Sequence, residues 1–307
     1  MASFGEPVVS AAIRERGYQL VSKINSGAQG TVYLARRRAD GAEVALKVVS
    51  RAARSTKREL AALAALSHDG VVRLLDVFHT HDTSVLVMEL LEGGDLFDWL
   101  QRSGRPGPEE LYIAAAALFR SLAYVHSVGM AHRDVKIENV VMARQNEPAS
   151  LRLVDFGFAV PASPGELSAH DFSGTLSYQP PEQVLKRPFC PIQGDMWSAG
   201  VLLYMLVFKR LPFGESSDAR TSLRIAKQRP SLNPAKCPKI SKRFLALISV
   251  LLEPVPAKRP SAALALEIVK GIQARHDLTR AVESSRAGRS RARAEDVRSA
   301  SALFLKA

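Results

Sequence analysis

The sequence predicts an α+β fold, and three observations carry that expectation. Strand-type alternation crowds into about the first ninety residues. Helical periodicity dominates after Gly93-Gly94. Pro180-Pro181, Pro188 and Pro191 break the region between the later helices. A chain of 307 residues is long enough for one large domain or two lobes.

Apolar residues alternate in Gln19–Ile24, Gly30–Ala35 and Glu43–Val48, which predicts three short strands. The first two are separated by Asn25–Gln29, and Arg38-Ala-Asp-Gly41 reads as a hairpin turn. Ser55–Leu66 carries Leu60, Leu63 and Leu66 at helical spacing. Val71–Phe78 and Ser84–Glu89 return to strand patterning. The first unit is therefore small, mainly β, with one helix. Helices follow over Asp95–Arg102, Glu109–Val128, Gly194–Phe208, Ser241–Leu252 and Ser261–Arg275. Residues 271–307 hold eight basic against four acidic residues and few apolar ones, so a flexible basic tail is expected there.

Composition narrows the function classes. The longest apolar run, Ala199–Phe208, is interrupted by Gly200 and too short to span a bilayer. The start Met1-Ala-Ser-Phe-Gly-Glu6 shows no secretion signal and no myristoylation glycine. The two cysteines, Cys190 and Cys237, have no metal-ligand spacing. These features predict an intracellular protein, cytoplasmic or nuclear. The formal charge of +12 is not organised as a nucleic-acid reader motif, so no specific nucleic-acid partner is expected. Oligomeric state is left open.

Two short blocks carry the chemistry. His132-Arg133-Asp134-Val135-Lys136-Ile137-Glu138-Asn139 is followed, sixteen residues after Asn139, by Asp155-Phe156-Gly157. Asp134 can accept a hydroxyl proton, and Lys136 can neutralise charge on a moving phosphoryl group. Asn139 and Asp155 can hold magnesium ions against phosphates. Asn25-Ser-Gly27-Ala-Gln-Gly30-Thr-Val32 lies between two strands, where glycines let the backbone fold over phosphates. At these residues the chain resembles the eukaryotic protein kinase family, from about Tyr18 to Lys270. Lys136 and Thr175 resemble the serine/threonine branch. The helix after Gly194 is most similar to the calcium/calmodulin-dependent kinase group.

The resemblance implies a two-lobed protein kinase fold, with a small antiparallel β lobe bearing one helix and a larger, mainly helical lobe. The small lobe would span residues 18–91 and the large lobe 92–270, after an N-terminal extension of residues 1–17. ATP and Mg2+ are the implied cofactors. In Val44-Ala45-Leu46-Lys47, Lys47 would hold the α- and β-phosphates and pair with Glu59, since an unpaired buried charge is costly. Met88 would be the gatekeeper beside the adenine. The Glu89 carbonyl and the Leu91 N–H would pair with the base, and Asp95 would reach the ribose. Ile24, Val32, Ala45, Leu91 and Val141 would sandwich the ring, and Gly27 and Gly30 would lie over the phosphates. His132 would be core, stacked on Phe156 in a column with Leu63 and Leu74.

Gly174-Thr175-Leu-Ser-Tyr178-Gln-Pro-Pro181-Glu182 resembles the family's peptide-docking loop. Thr175 would bond Asp134 and Lys136, Glu182 would pair with Arg259, and Asp195 would cap the loop carrying Arg133. Asn25 stands where the family has glycine, and Pro180 where alanine is usual. Protein substrates with basic residues before the target Ser or Thr are expected, because Glu92, Asp95 and Glu138 lie at the lip of the cleft. Arg133 needs an anion; Asp171 would supply it in place of a phosphorylated threonine, with Ser168 as the rival switch. The basic tail reads as a regulatory or docking segment, or as a bland one. A scaffold of the same fold is the rival function, and a small-molecule kinase the second. The first is disfavoured because Lys47, Asp134 and Asp155 are all present, the second by the docking loop.

Overall fold

Period-two alternation builds the small lobe. A computed structural model describes residues 6–27, 30–167, 174–214 and 219–282. A helix, α1 (Glu6–Glu15), precedes the strands β1 (Tyr18–Gly27), β2 (Gly30–Arg37) and β3 (Glu43–Ser50). Helix α2 (Arg54–Ala65) follows, then β4 (Leu74–His79) and β5 (Thr83–Glu89). The five strands form one antiparallel sheet in the order β1-β2-β3-β5-β4. Successive residues of β3 point to opposite faces. Val44, Leu46 and Val48 pack with Val9 and Ile13 of α1, while Ala45 and Val49 join the core that faces the other lobe.

The small lobe therefore has two helices, where the sequence reading allowed one. Val9 and Ile13, four apart, are buried on the back of the sheet with Tyr18, Phe78, Val85 and Val87. Residues 6–15, expected only as an extension, form a helix that packs on the lobe. The reason is physical: an i, i+4 pair covering a sheet makes only a short apolar signal.

The large lobe opens with α3 (Leu96–Ser103) and α4 (Pro108–Ser127). Asp95 caps α3 by accepting the Asp98 N–H at 2.8 Å. Two short ribbons frame the next loops: β6 (Met130–Ala131) pairs with β9 (Val160–Pro161), and β7 (Val140–Met142) with β8 (Leu151–Leu153). The loop between β6 and β7 carries residues 132–139, and the turn after β8 carries Asp155. Then come α5 (Pro181–Val184), α6 (Pro191–Phe208), α7 (Ala219–Lys227) and α8 (Lys242–Leu251).

Helix α6 is apolar on nearly every side and almost wholly buried, as a central core helix must be. A Cβ on Gly200 would lie 2.8 Å from the Leu251 Cβ, so glycine permits α6 and α8 to meet. Residues 262–282 form α9, with Ala262, Ala265, Val269 and Ile272 buried. The helix outruns its expected end at Arg275 and continues to residue 282. No helix among the described residues is long and apolar enough to cross a membrane.

Candidate active site

The loop at residues 132–139 is held from behind. Arg133 has φ 68° and Asp155 φ 62°, in the left-handed region that non-glycine residues avoid. Each such residue costs about 1–3 kcal/mol and persists only where its surroundings hold it. Asp195, buried near the start of α6, accepts the His132 N–H at 2.8 Å and the Arg133 N–H at 2.7 Å. His126, at the end of α4, bonds the same carboxylate at 3.0 Å. The His132 ring donates from Nε2 to the Val154 carbonyl at 2.9 Å, and its centroid is 4.6 Å from that of Phe156. His132 is thus a packed support, as expected, and Asp195 caps the loop. Leu63 lies in the same core, with Leu74 packed against it.

Four donors converge on Asp134. Thr175 donates its backbone N–H and its hydroxyl to Oδ1, at 3.2 and 3.0 Å. Asn139 Nδ2 donates to Oδ2 at 2.9 Å, and Lys136 Nζ lies 2.9 Å from that oxygen. The Lys136 ammonium also donates to Thr175 Oγ1 at 3.0 Å. The carboxylate is buried and fixed in direction. Such an arrangement orients a hydroxyl more than it deprotonates one, which suits a loose phosphoryl-transfer transition state.

The second cluster joins the lobes. Lys47 donates to Glu59 Oε1 and Oε2 at 2.6 and 2.8 Å and to Asp155 Oδ1 at 3.2 Å. Burial alone would lower the Lys47 pKa, but Glu59 and Asp155 outweigh it and raise it. Burial raises the Glu59 carboxyl, Lys47 opposes that, and Asp155 adds to the rise. One ammonium faces two carboxylates, so the cluster retains excess negative charge.

Two oxygens fit a hard cation. Asn139 spends its Nδ2 on the carbonyl and carboxylate of Asp134, both at 2.9 Å, which turns its Oδ1 the other way. That Oδ1 and Asp155 Oδ2 accept no hydrogen bond among the described residues. An amide and a carboxylate oxygen beside excess negative charge suit Mg2+ shared with phosphates.

The nucleotide slot follows from strand register. Ala45 pairs with Met88, and Val32 pairs with Lys47. Both register shifts in β1 lie before the turn, and Ile24 falls within the second, half exposed. Val141 is bridged to Asp95, which brings these two expected nucleotide-site residues side by side. The Leu91 N–H makes no backbone hydrogen bond among the described residues. The Glu89 side chain accepts the Arg73 N–H at 2.9 Å and lies 3.7 Å from Arg152, tying the interlobe segment down.

The two glycines sit in different surroundings. A Cβ on Gly30 (φ 137°) would lie 2.4 Å from the Val48 carbonyl oxygen, so its neighbour is the protein itself. Gly27 has open space around a Cβ, which leaves room for a ligand. Residues 28 and 29 between them lie outside the described residues, as do Ser168, Asp171 and the tail from residue 283.

The expected Glu182–Arg259 pair is present, and one further contact lies near it. Arg259 Nη1 and Nη2 grip Glu182 at 2.7 and 2.8 Å, both residues buried. Gln179 donates to the Gly174 carbonyl at 3.1 Å, beneath the docking loop. The sequence reading missed His126. Its signal was slight: a histidine six residues before His132, its partner Asp195 69 positions away.

The described geometry agrees with the comparisons. A family model for the protein kinase domain matches residues 18–269. The chain is 34% identical over 262 residues to Calcium-dependent protein kinase 9 of Oryza sativa subsp. japonica, covering 81% of this chain and 44% of that protein. It is 31% identical over 267 residues to Serine/threonine-protein kinase cds1 of Schizosaccharomyces pombe, covering 81% and 57%. It is 35% identical over 259 residues to Testis-specific serine/threonine-protein kinase 3 of Homo sapiens, covering 80% and 92%. The chain spans about half the length of the first two relatives and most of the third.

Proposed function

The chain belongs to the protein kinase family, and we propose that it transfers the γ-phosphoryl group of Mg-ATP to serine or threonine hydroxyls of protein substrates. The observation that carries this reading is the Asp134 carboxylate, held by Thr175, Asn139 and Lys136 beside the Lys47–Glu59–Asp155 cluster. Asp134 would receive the hydroxyl and its proton, and Lys136 would offset charge on the transferring group. Lys47 would hold the nucleotide phosphates. Bound Mg2+ would neutralise phosphate charge, with Asn139 and Asp155 as its protein ligands. Ile24, Val32, Ala45, Met88, Leu91 and Val141 would enclose the adenine, Glu89 and Leu91 would pair with it, and Asp95 would reach the ribose. A scaffold role is disfavoured because every group that the chemistry needs is present and joined to its partner.

The acidic lip supports a basic substrate. Glu92, Asp98 and Glu138 are exposed around half-buried Asp95. Burial raises the Asp95 carboxyl pKa, the Asp98 N–H opposes this, and the Asp98 and Glu138 carboxylates raise it further. An arginine two or three residues before the target would relieve that crowding. Radiolabelled ATP and a peptide library test both readings. Label on serine or threonine, lost in Asp155→Asn, is the expected result. Replacing the arginine by glutamate should lower kcat/KM by about tenfold, ~1.4 kcal/mol. Selection of acidic or proline-directed peptides would overturn the substrate reading and leave the phosphoryl-transfer reading standing.

A further inference from the structure

The small lobe's α2–β4 loop packs directly onto α4. A Cβ on Gly70 would lie 2.0 Å from Ser121 Oγ, so glycine lets the loop backbone pack directly against the Ser121 side chain of α4. Backbone bonds cross the joint: Leu153 N–H donates to the Gly70 carbonyl at 2.8 Å, and Val72 N–H to the Leu153 carbonyl at 3.0 Å. Beside this joint lies a cavity of about 270 Å3, lined by Arg120, Arg144, Arg152, Asp69, Gly70 and Ser150 among others. Three guanidinium groups from three elements thus line it: α4, the β7–β8 turn and β8. A second cavity of about 510 Å3 shares Asp69 and Arg152 and continues along the small-lobe side.

The arginines are not equally committed. Arg144 pairs with Glu147, and Arg152 lies 3.7 Å from Glu89. Arg120 is exposed and makes no hydrogen bond or ion pair among the described residues. The positive field is felt nearby. Burial lowers the His68 pKa, Asp69 opposes that, and Arg120 and Arg152 lower it further.

We propose that this interlobe groove is a docking site for a phosphoserine- or phosphothreonine-bearing acidic peptide of a partner protein, its phosphate held by Arg120, Arg144 and Arg152. Arginine clusters bind phosphate through forked, charge-assisted bonds, and the cavity is large enough for a phosphate group. The chain's own tail fits poorly, because its arginines would face three others. Occupancy would tie α4 and β8 to the joint. Asp155 follows Arg152 by three residues, so the site adjoins the segment that presents a metal ligand.

The test is fluorescence anisotropy with a fluorescein-labelled Glu-Asp-phosphoserine-Asp-Glu peptide, in saturating Mg-ADP so that the nucleotide cleft is filled. The full chain should bind the phosphopeptide. The doubly substituted Arg120→Ala, Arg144→Ala protein should bind at least tenfold more weakly, with unchanged thermal stability and basal phosphoryl transfer. Arg120→Glu alone should reproduce most of the loss. The unphosphorylated peptide should bind at least tenfold more weakly than its phosphorylated form, and inorganic phosphate should compete only at far higher concentration. No binding to the wild-type chain, equal binding by the variants, or equal binding of the unphosphorylated peptide would overturn the site. Competition by inorganic phosphate as effective as the peptide itself would make it a free-anion site and sink the docking proposal. None of the binding readings depends on the kinase activity.

Discussion

At the scale of residues, the Lys47–Glu59–Asp155 cluster makes the sharpest predictions. Lys47→Met should lower phosphoryl transfer by orders of magnitude while circular dichroism stays near wild type, with some loss of Tm because buried Glu59 loses its counter-charge. Glu59 predicts a pH effect with a definite sign. Its pKa is raised, so its carboxylate gains a proton as pH falls, before an ordinary glutamate would. Below that point the ion pair to Lys47 is lost. Activity should therefore fall on the acid side at a higher pH than an unperturbed carboxylate sets, and Glu59→Gln should remove that limb while lowering the plateau. A pH–rate profile of both proteins decides it. Residues at this scale were largely legible, because each role demands one chemical type within a short block: Asp134, Lys136 and Asn139 span six positions. His126 was not, because its meaning comes only from a carboxylate that the chain returns much later.

At the scale of elements, α1 and α7 are helices that the sequence reading did not contain. Ile13 is 1% exposed on the back of the sheet. Ile13→Ala should lower stability by about 2–5 kcal/mol, read as a drop in Tm, and should raise the KM for ATP by loosening the strands beneath the nucleotide. An unchanged Tm would mean that α1 contributes nothing to the lobe. The five small-lobe strands were legible from alternation, and α6 from its long apolar run. The end of α9 was not, because arginines on its exposed side drew attention from Ile272 and from His276, whose ring stands edge-on to Tyr112 at 5.6 Å. Charge marks a solvated face; it does not mark the end of a helix.

At the scale of the whole molecule, that correction separates two truncations. Ending the chain after residue 282 should leave Tm unchanged. Ending it after Lys270 should lower Tm, because it removes buried Ile272 together with the Arg280–Glu109 bond to α4. Equal melting of the two proteins would show that residues 271–282 are dispensable. The two-lobed arrangement was legible only through the family's motifs, since alternation and periodicity alone reach no further than α+β. The position of α1 also bears on how the protein is made. A ten-residue helix is marginal in water by itself, and its partners Val85 and Val87 are synthesised some seventy residues after Ile13. On the ribosome α1 must wait, unprotected, until β5 has emerged. The small lobe therefore closes from its last strand backward, and a nascent chain halted before residue 89 should remain open to protease within residues 6–15.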